Sequence, residues 1–320
     1  MLPPFPNAGK YVFKEKFIER YSQLTDWETF KQASLSFLRR SIRANTLKIS
    51  ASELKNRIEK NWSLQPIPWC KEGFWISHKR EERRDIGNLL EHHLGYFYVQ
   101  DASSMIPPIV LQPKPGEIVL DMCAAPGSKT TQMAAMMQNK GIIIANELSG
   151  ERIKSLGINL QRSGILNVVV TNMTGYGFKT IQFDKILLDA PCTGTGTIMK
   201  SPRILNWWNP QAAKRLASQQ RKLLETAFNN LKEGGELVYS TCTLEPEEDE
   251  GVINWLLEKY PAARLEEIKL HGLKHSPAVL QFEKETYSPE IKKCLRIWPQ
   301  DNDTEGFFIA KIKKLPARIE

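Results

Sequence analysis

The sequence predicts an α/β protein, a mostly parallel, doubly wound sheet preceded by a small α+β domain. Two observations carry this. From Gly95 onward, apolar strand-like runs alternate with stretches of helical periodicity, the mark of βαβ units. The chain is also 320 residues long, enough for one large domain and a smaller one. The expected domains are residues 1–95 and 96–320.

In the first domain, Phe13, Phe17, Ile18, Tyr21 and Leu24 recur at helical spacing, and Asp26 can cap a second helix carrying Phe30 and Leu38. Residues 41–49 read as a strand. Ser52, Leu54 and Ile58 suggest a helix, and residues 62–77 short aromatic strands around Gly73. The charged run 79–85 reads as a solvated loop, with a phosphate-facing loop as the alternative. In the second domain, an apolar helix is expected at 104–111 and strands at 117–121, 142–146, 167–171, 184–189 and 236–241. Helices are expected at 129–139, 149–163, 211–231 and 247–259. Residues 294–298 and 306–312 read as a closing pair of strands.

Composition narrows the function. The net charge is +8, and residues 1–95 hold seventeen Lys and Arg against eleven Asp and Glu, an excess of six. A basic lobe beside a near-neutral body suggests a polyanion partner, although a solvated surface has the same composition. No apolar run is long enough to cross a membrane, and the Pro-rich start lacks a secretion signal. The five cysteines form no C-x-x-C pair, which argues against a zinc site, and their number and spacing suit free thiols in a reducing cytoplasm.

The strand ends carry the chemistry. In an open parallel sheet, ligands bind at the carboxyl ends of the strands. After the strand ending at Asp121, the chain turns through Ala-Ala-Pro-Gly into a helix. Gly127 allows the tight turn and Ser128 can cap the helix. The next strand ends at Glu147, where an acid typically bonds ribose hydroxyls. This suits a dinucleotide or S-adenosylmethionine equally. Two more strands end near Asp189-Ala-Pro-Cys192 and Ser240-Thr-Cys242, bringing two thiols and a carboxylate to one edge. A lone cysteine is more often core than catalytic. Two cysteines at strand ends, one followed by Thr-Gly-Thr-Gly, are placed for chemistry.

Several stretches together resemble the NOL/NOP/Sun family of RNA (cytosine-5) methyltransferases, and most closely its archaeal transfer-RNA members. They are Arg43-Ala-Asn-Thr46, Gln100-Asp-Ala-Ser-Ser104, Asp121-Met-Cys-Ala-Ala-Pro-Gly-Ser-Lys-Thr130, Leu188-Asp-Ala-Pro-Cys-Thr-Gly-Thr-Gly196, Tyr239-Ser-Thr-Cys-Thr243 with Glu245-Pro-Glu-Glu248, and Gly306-Phe-Phe-Ile-Ala310. The resemblance implies a Rossmann-like methyltransferase sheet with an antiparallel closing strand and a small N-terminal RNA-binding lobe. It implies that Cys123, Ala124, Ala125, Pro126, Gly127, Ser128 and Lys129 cradle S-adenosylmethionine, with Glu147 on the ribose and Arg152 nearby. Asp189 would contact the target cytosine, Cys242 would be the nucleophile, and Cys192 would aid product release. One position departs from the family: Thr174 stands where an Asp usually faces the adenine.

The chemistry explains the residue types. Cytosine C5 is a poor nucleophile until a thiolate adds to C6. A free thiol has a pKa of about 8.5, so the site must lower it; the helix after Cys242 and a nearby cation are candidates, and the resemblance implies Lys129 as that cation. A protonated Asp189 would donate to N3 as the ring gains electrons. The target base must leave any stack, and Arg39, Arg40, Arg43 and Lys48 are the candidate RNA contacts. Trp207 and Trp208 are placed either to position RNA or to pack in the core. The expected substrate is transfer RNA, with ribosomal RNA the first alternative and a catalytically silent RNA-binding factor the second. DNA enzymes take their nucleophile from the Pro-Cys motif and lack the Ser-Thr-Cys partner. A monomer without a metal is expected, with room for a helper protein.

Overall fold

The computed structural model describes residues 2–83, 85–179 and 181–316. Arg84, inside the charged 79–85 run, lies outside them, as do the last four positions of the expected second domain.

The N-terminal segment has two destinations. Helices α1 (Glu15–Ser22) and α2 (Trp27–Ser34) form an aromatic cluster of Phe13, Phe17, Tyr21 and Phe30. Asp26 caps α2 by accepting from Thr29 N at 2.9 Å. This cluster packs on Trp208, Leu244 and Trp298 of the large domain. Strand β1 (Ser41–Ala44), helix α3 (Ala51–Ile58), strands β2 (Trp62–Ile67) and β3 (Cys70–His78), helix α4 (Leu90–His93) and strand β4 (Phe97–Val99) form the small domain. Its antiparallel sheet runs β2-β3-β1-β4. A boundary at 95/96 would cut this sheet, because β4 pairs with β1 through Ile42↔Val99 and Ala44↔Phe97. Ser50 caps α3, in a capping box with Glu53. Gly73 lies inside β3 rather than at a turn, packed against Met105 and Ile67.

After helix α5 (Ile106–Leu111) the expected alternation follows: β5 (Ile118–Asp121), α6 (Ser128–Met136), β6 (Ile142–Asn146), α7 (Gly150–Ser163), β7 (Val168–Thr171), β8 (Phe183–Asp189), α8 (Ile204–Trp207), α9 (Pro210–Asn229), β9 (Leu231–Thr241) and α10 (Glu250–Lys259). Strand β10 (Ala263–Glu266) and a small hairpin, β11 (Gln281–Phe282) and β12 (Glu285–Thr286), follow. Strand β13 (Leu295–Ile297), helix α11 (Pro299–Asn302) and strand β14 (Phe307–Lys314) complete the order. The large sheet runs β10-β14-β9-β8-β5-β6-β7, with β13 on β14. Strands β9, β8, β5, β6 and β7 are mutually parallel, and β14 runs antiparallel to β9.

The chain leaves β5 toward β6 and β7, then returns to build β8 and β9 on the other side. The topological switch point therefore lies between β5 and β8, where such sheets bind ligands. Val119, Leu120, Ile143, Ile186, Leu187 and Val238 are fully buried, so the sheet interior is a rigid platform for the residues at its edge.

Candidate active site

The loop after β5 is shaped by Gly127. Its φ is +100°, and a Cβ there would stand 2.9 Å from Leu156 Cδ1 of α7. Gly127 takes the cap position itself, so α6 starts at Ser128, which is not the cap. Cys123, Ala124, Ala125, Pro126, Ser128 and Lys129 line a cavity of about 340 Å³ together with Arg152, Asp189 and Cys242. Two buried carboxylate oxygens beside this loop have no hydrogen-bond partner: Asp121 Oδ1 at the end of β5 and Glu147 Oε2 just after β6. Glu147 Oε1 accepts from Ser149 N at 2.9 Å, and Arg152 stands 3.2 Å from Oε2. A small polar cavity with Asp121 Oδ1 as an unpaired acceptor fits a cofactor carrying an ammonium, while Glu147, ion-paired to Arg152, is not among its lining residues. Burial pushes the Cys123 thiol far up, which leaves it a neutral wall residue. Thr174 is exposed at the start of a short turn, Gly175–Gly177, and is not among the cavity's lining residues.

The thiols meet as the strand order requires. Strands β8 and β9 are neighbours, and Asp189 pairs with Ser240. Cys192 Sγ and Cys242 Sγ are 3.3 Å apart. Of the two, Cys242 lines the cavity. The bond to Cys242, then burial, holds the Cys192 thiol well above its ordinary range. A Cys192 kept as an S–H can donate to Cys242, although the contact itself allows either sulfur to be the donor.

The two loops that carry the thiols are locked together. A Cβ at Gly196 would meet Gly306 O at 2.3 Å and Cys242 O at 2.8 Å, so only glycine lets these backbones converge. Glu248 accepts from Thr193 N at 3.0 Å and from Gln220 at 2.8 Å, while Thr193 and Thr243 hydroxyls meet at 2.6 Å. Burial pushes Glu248 up to about 8 despite these donors.

Asp189 and Lys129 form the next layer. Lys129 Nζ donates to Asp189 Oδ2 at 2.7 Å and to Ser104 Oγ at 3.1 Å, and Ser240 Oγ donates to Asp189 Oδ1 at 2.8 Å. Both Asp189 oxygens thus accept, whereas the sequence suggested a protonated donor. Lys129 serves Asp189 rather than a thiol. Helix α10 begins only at Glu250, eight positions beyond Cys242, with Asp249 before it.

The expected RNA contacts divide. Arg43 is 3% exposed and donates to Ser128 O at 2.8 Å, Thr131 Oγ1 at 2.9 Å, Gln132 Oε1 at 3.2 Å and Gln100 Oε1. It is a buried clamp between β1 and α6, not a phosphate contact. Its strand position faces the domain junction, which charge counting cannot reveal. Arg40 is exposed, and Arg39 lies 4.2 Å over the Trp75 ring. Lys48 is exposed but ties Leu94 O and Arg162 O at 3.0 and 2.7 Å. Trp208 is buried and donates to Glu245 Oε1 at 2.7 Å, while Trp207 is 48% exposed.

Sequence reasoning missed Asp101, Lys200 and Glu305, all of which line the cavity. The closing strand held the signal. An antiparallel β14 must begin where β9 ends, and Phe308 does pair with Thr241, so the residues entering β14 arrive at Cys242.

Comparisons with known proteins match this architecture. A family model described as 16S rRNA methyltransferase RsmB/F matches residues 108–313, and one described as the N-terminal domain of 16S rRNA methyltransferase RsmF matches residues 13–102. The chain is 48% identical to the tRNA (cytosine(49)-C(5))-methyltransferase of Pyrococcus abyssi, over 94% of this chain and 96% of that one. It is 43% identical to Ribosomal RNA small subunit methyltransferase F of Escherichia coli, over 98% of this chain but 64% of that longer protein. A methyltransferase homolog protein from Pyrococcus horikoshii superimposes with a TM-score of 0.85 at 39% identity, covering 97% of this chain and 100% of that one. NSun6 from the same organism, solved with SFG, gives 0.83 at 26% identity, covering 96% and 100%. With both domains matched and the paired thiols in place at the cofactor edge, the chain belongs to the RsmB/F family of S-adenosylmethionine-dependent RNA (cytosine-5) methyltransferases.

Proposed function

We propose that this enzyme methylates a cytosine of transfer RNA through a covalent bond between Cys242 and C6. The observation that carries the covalent route is the thiol pair, 3.3 Å apart, with Cys242 lining the cavity and Cys192 kept as a thiol behind it. S-adenosylmethionine would supply the methyl group, and Cys123 to Lys129, Glu147 and Arg152 would hold it. Cys242 attacks C6, and the Cys192 S–H stabilises its thiolate before attack and again at departure. The Lys129–Asp189 pair meets the polar edge of the base, and its ammonium offsets the charge that grows on the ring. Asp189 thereby acts as the acceptor of Lys129 and Ser240.

Transfer RNA is favoured by the end-to-end match to the tRNA enzyme of Pyrococcus abyssi. Ribosomal RNA is the second reading, supported by the matching family models and by the Escherichia coli relative. Arg39, Arg40 and the exposed part of Lys48 form the proposed phosphate-facing surface of the small domain, with Arg43 withdrawn from it. The route needs both thiols reduced, which suits the cytoplasm. The test is transfer of labelled methyl from S-adenosylmethionine to purified transfer RNA and to purified small-subunit ribosomal RNA. Label on transfer RNA at C5 of cytosine is expected. Label on ribosomal RNA alone moves the substrate, and label on neither defeats the reading.

A further inference from the structure

The wall of the cavity beside Cys242 holds a second group of charged residues. Glu305 is 5% exposed and forms an ion pair with Lys200, whose side chain is half exposed. Asp101 supports it: Asp101 Oδ1 accepts from Ser103 N at 2.9 Å, Ser103 Oγ at 2.6 Å and Glu305 N at 3.4 Å. The backbone then fixes the group next to the nucleophile. Gly306 N donates to Gly196 O at 2.8 Å, and Gly196 N donates to Cys242 O at 3.0 Å. Lys200 follows in the same loop as Gly196. Burial opposes its charge, but Glu305, Asp101 and Cys242 outweigh that and raise it. All three residues line the cavity that Cys242 lines.

The covalent route needs a base that the described machinery does not supply. After methyl transfer, C5 still carries its hydrogen. With the cofactor held by residues 123–129, the methyl would enter on that side and the hydrogen would be left on the other face of the ring. Cys192 is held as a thiol and is a poor base. Both Asp189 oxygens are occupied by Lys129 and Ser240. Asp121 belongs to the cofactor wall, with Oδ2 held by Thr130 at 2.7 Å. Burial, then the neighbouring Asp101, pushes Glu305 up to about 7 against the pull of Lys200 and Lys129. A base matched to neutral pH is the efficient one.

We propose that Glu305 is the base that removes the C5 proton from the methylated adduct, held in place by Lys200 and Asp101. The proposal rests on the covalent reading above. The Glu305 carboxylate takes the proton, and the C5–H electron pair becomes the C5=C6 double bond. The C6–S bond breaks, and its pair leaves on Cys242, where the Cys192 S–H receives it. Glu305 returns its proton to solvent.

The test uses the whole enzyme with RNA carrying tritium at cytosine C5 and with methyl-labelled S-adenosylmethionine. Glu305→Gln should still place labelled methyl on RNA joined to the protein, while tritium release falls by about 100-fold or more. Glu305→Asp should release tritium slowly and keep the rising limb of the pH profile near neutrality, which Glu305→Gln should lose. Wild-type tritium release from the Gln variant overturns the assignment. So does a Gln variant that binds cofactor normally yet forms no adduct, since Glu305 would then act before methyl transfer. A wild-type enzyme that forms no adduct even with 5-fluorocytosine RNA refutes the covalent reading itself, a result distinct from both.

Discussion

Replacing Arg43 with Ala separates a structural role from an RNA contact. Arg43 gives its guanidinium donors to neutral oxygens of Gln100, Ser128, Thr131 and Gln132. On its removal, Gln100 Nε2 can still serve Gln132 Oε1, with which it already makes a bond at 3.2 Å. Gln100 Oε1 is left without a donor, at about 1–3 kcal/mol, while the Ser128 carbonyl keeps Thr131 Oγ1 at 3.0 Å. The buried charge itself is costly, since burial pulls Arg43 down to about 10, and its loss offsets part of this. The net expectation is a destabilisation of about 2 kcal/mol. With an unfolding entropy of about 2.1 cal/mol/K per residue over 320 residues, that lowers Tm by about 3 °C. The assays are calorimetry and RNA binding across salt concentrations. Arg43→Ala should leave the slope of log affinity against log salt unchanged, whereas Arg39→Ala with Arg40→Ala should flatten it. An unchanged Tm with a flatter slope in Arg43→Ala would refute the clamp and return Arg43 to the RNA surface.

Three further outcomes follow from the site. Glu147→Ala should weaken S-adenosylmethionine binding by calorimetry by about 1.5–3 kcal/mol, the worth of a charged hydrogen bond. Exposed Thr174→Ala should cost less, and the reverse order would show the cofactor ends are misassigned. Cys192→Ala should accumulate an RNA-shifted band on a denaturing gel that disappears in the double variant with Cys242→Ala; a band in Cys242→Ala alone would exchange the two roles. Burial raises Asp121 and Glu305 to about 7 and Glu248 to about 8. These acids ionise at about pH 4 when unfolded, so the fold binds more protons from about pH 4 to pH 8. Stability is full below that window and falls as pH rises through it. Tm should be higher at about pH 5.5 than at about pH 8.5, with a smaller difference in Glu248→Gln, and a Tm that rises across this range would contradict the assignment.

The parallel sheet was legible because each strand is an apolar run that ends in a chemical residue. Asp121, Asp189 and the Thr241-Cys242 step stand where the alternation stops, and the sheet brings them together as expected. Other features were hidden for physical reasons. Helices α1 and α2 show an apolar face, but nothing local says that it docks on Trp208 and Trp298. That choice is made across the fold, where Arg20 reaches Glu245 at 2.7 Å. Arg43 reads as surface because burial of an arginine depends on acceptors from α6, 85 or more positions away. Asp101, Lys200 and Glu305 come from three separated segments; the pairing of β14 with β9 brings Glu305 to Cys242, and the Gly196 loop and the Glu305 N–Asp101 bond bring the other two.

The most direct test of the central claim is to trap the enzyme on transfer RNA carrying 5-fluorocytosine and identify the modified peptide by mass spectrometry. Fluorine at C5 blocks the final proton removal, so a methylated nucleotide joined to Cys242 is the expected result. A nucleotide joined to Cys192, or methylated RNA with no bond to the protein, would contradict it.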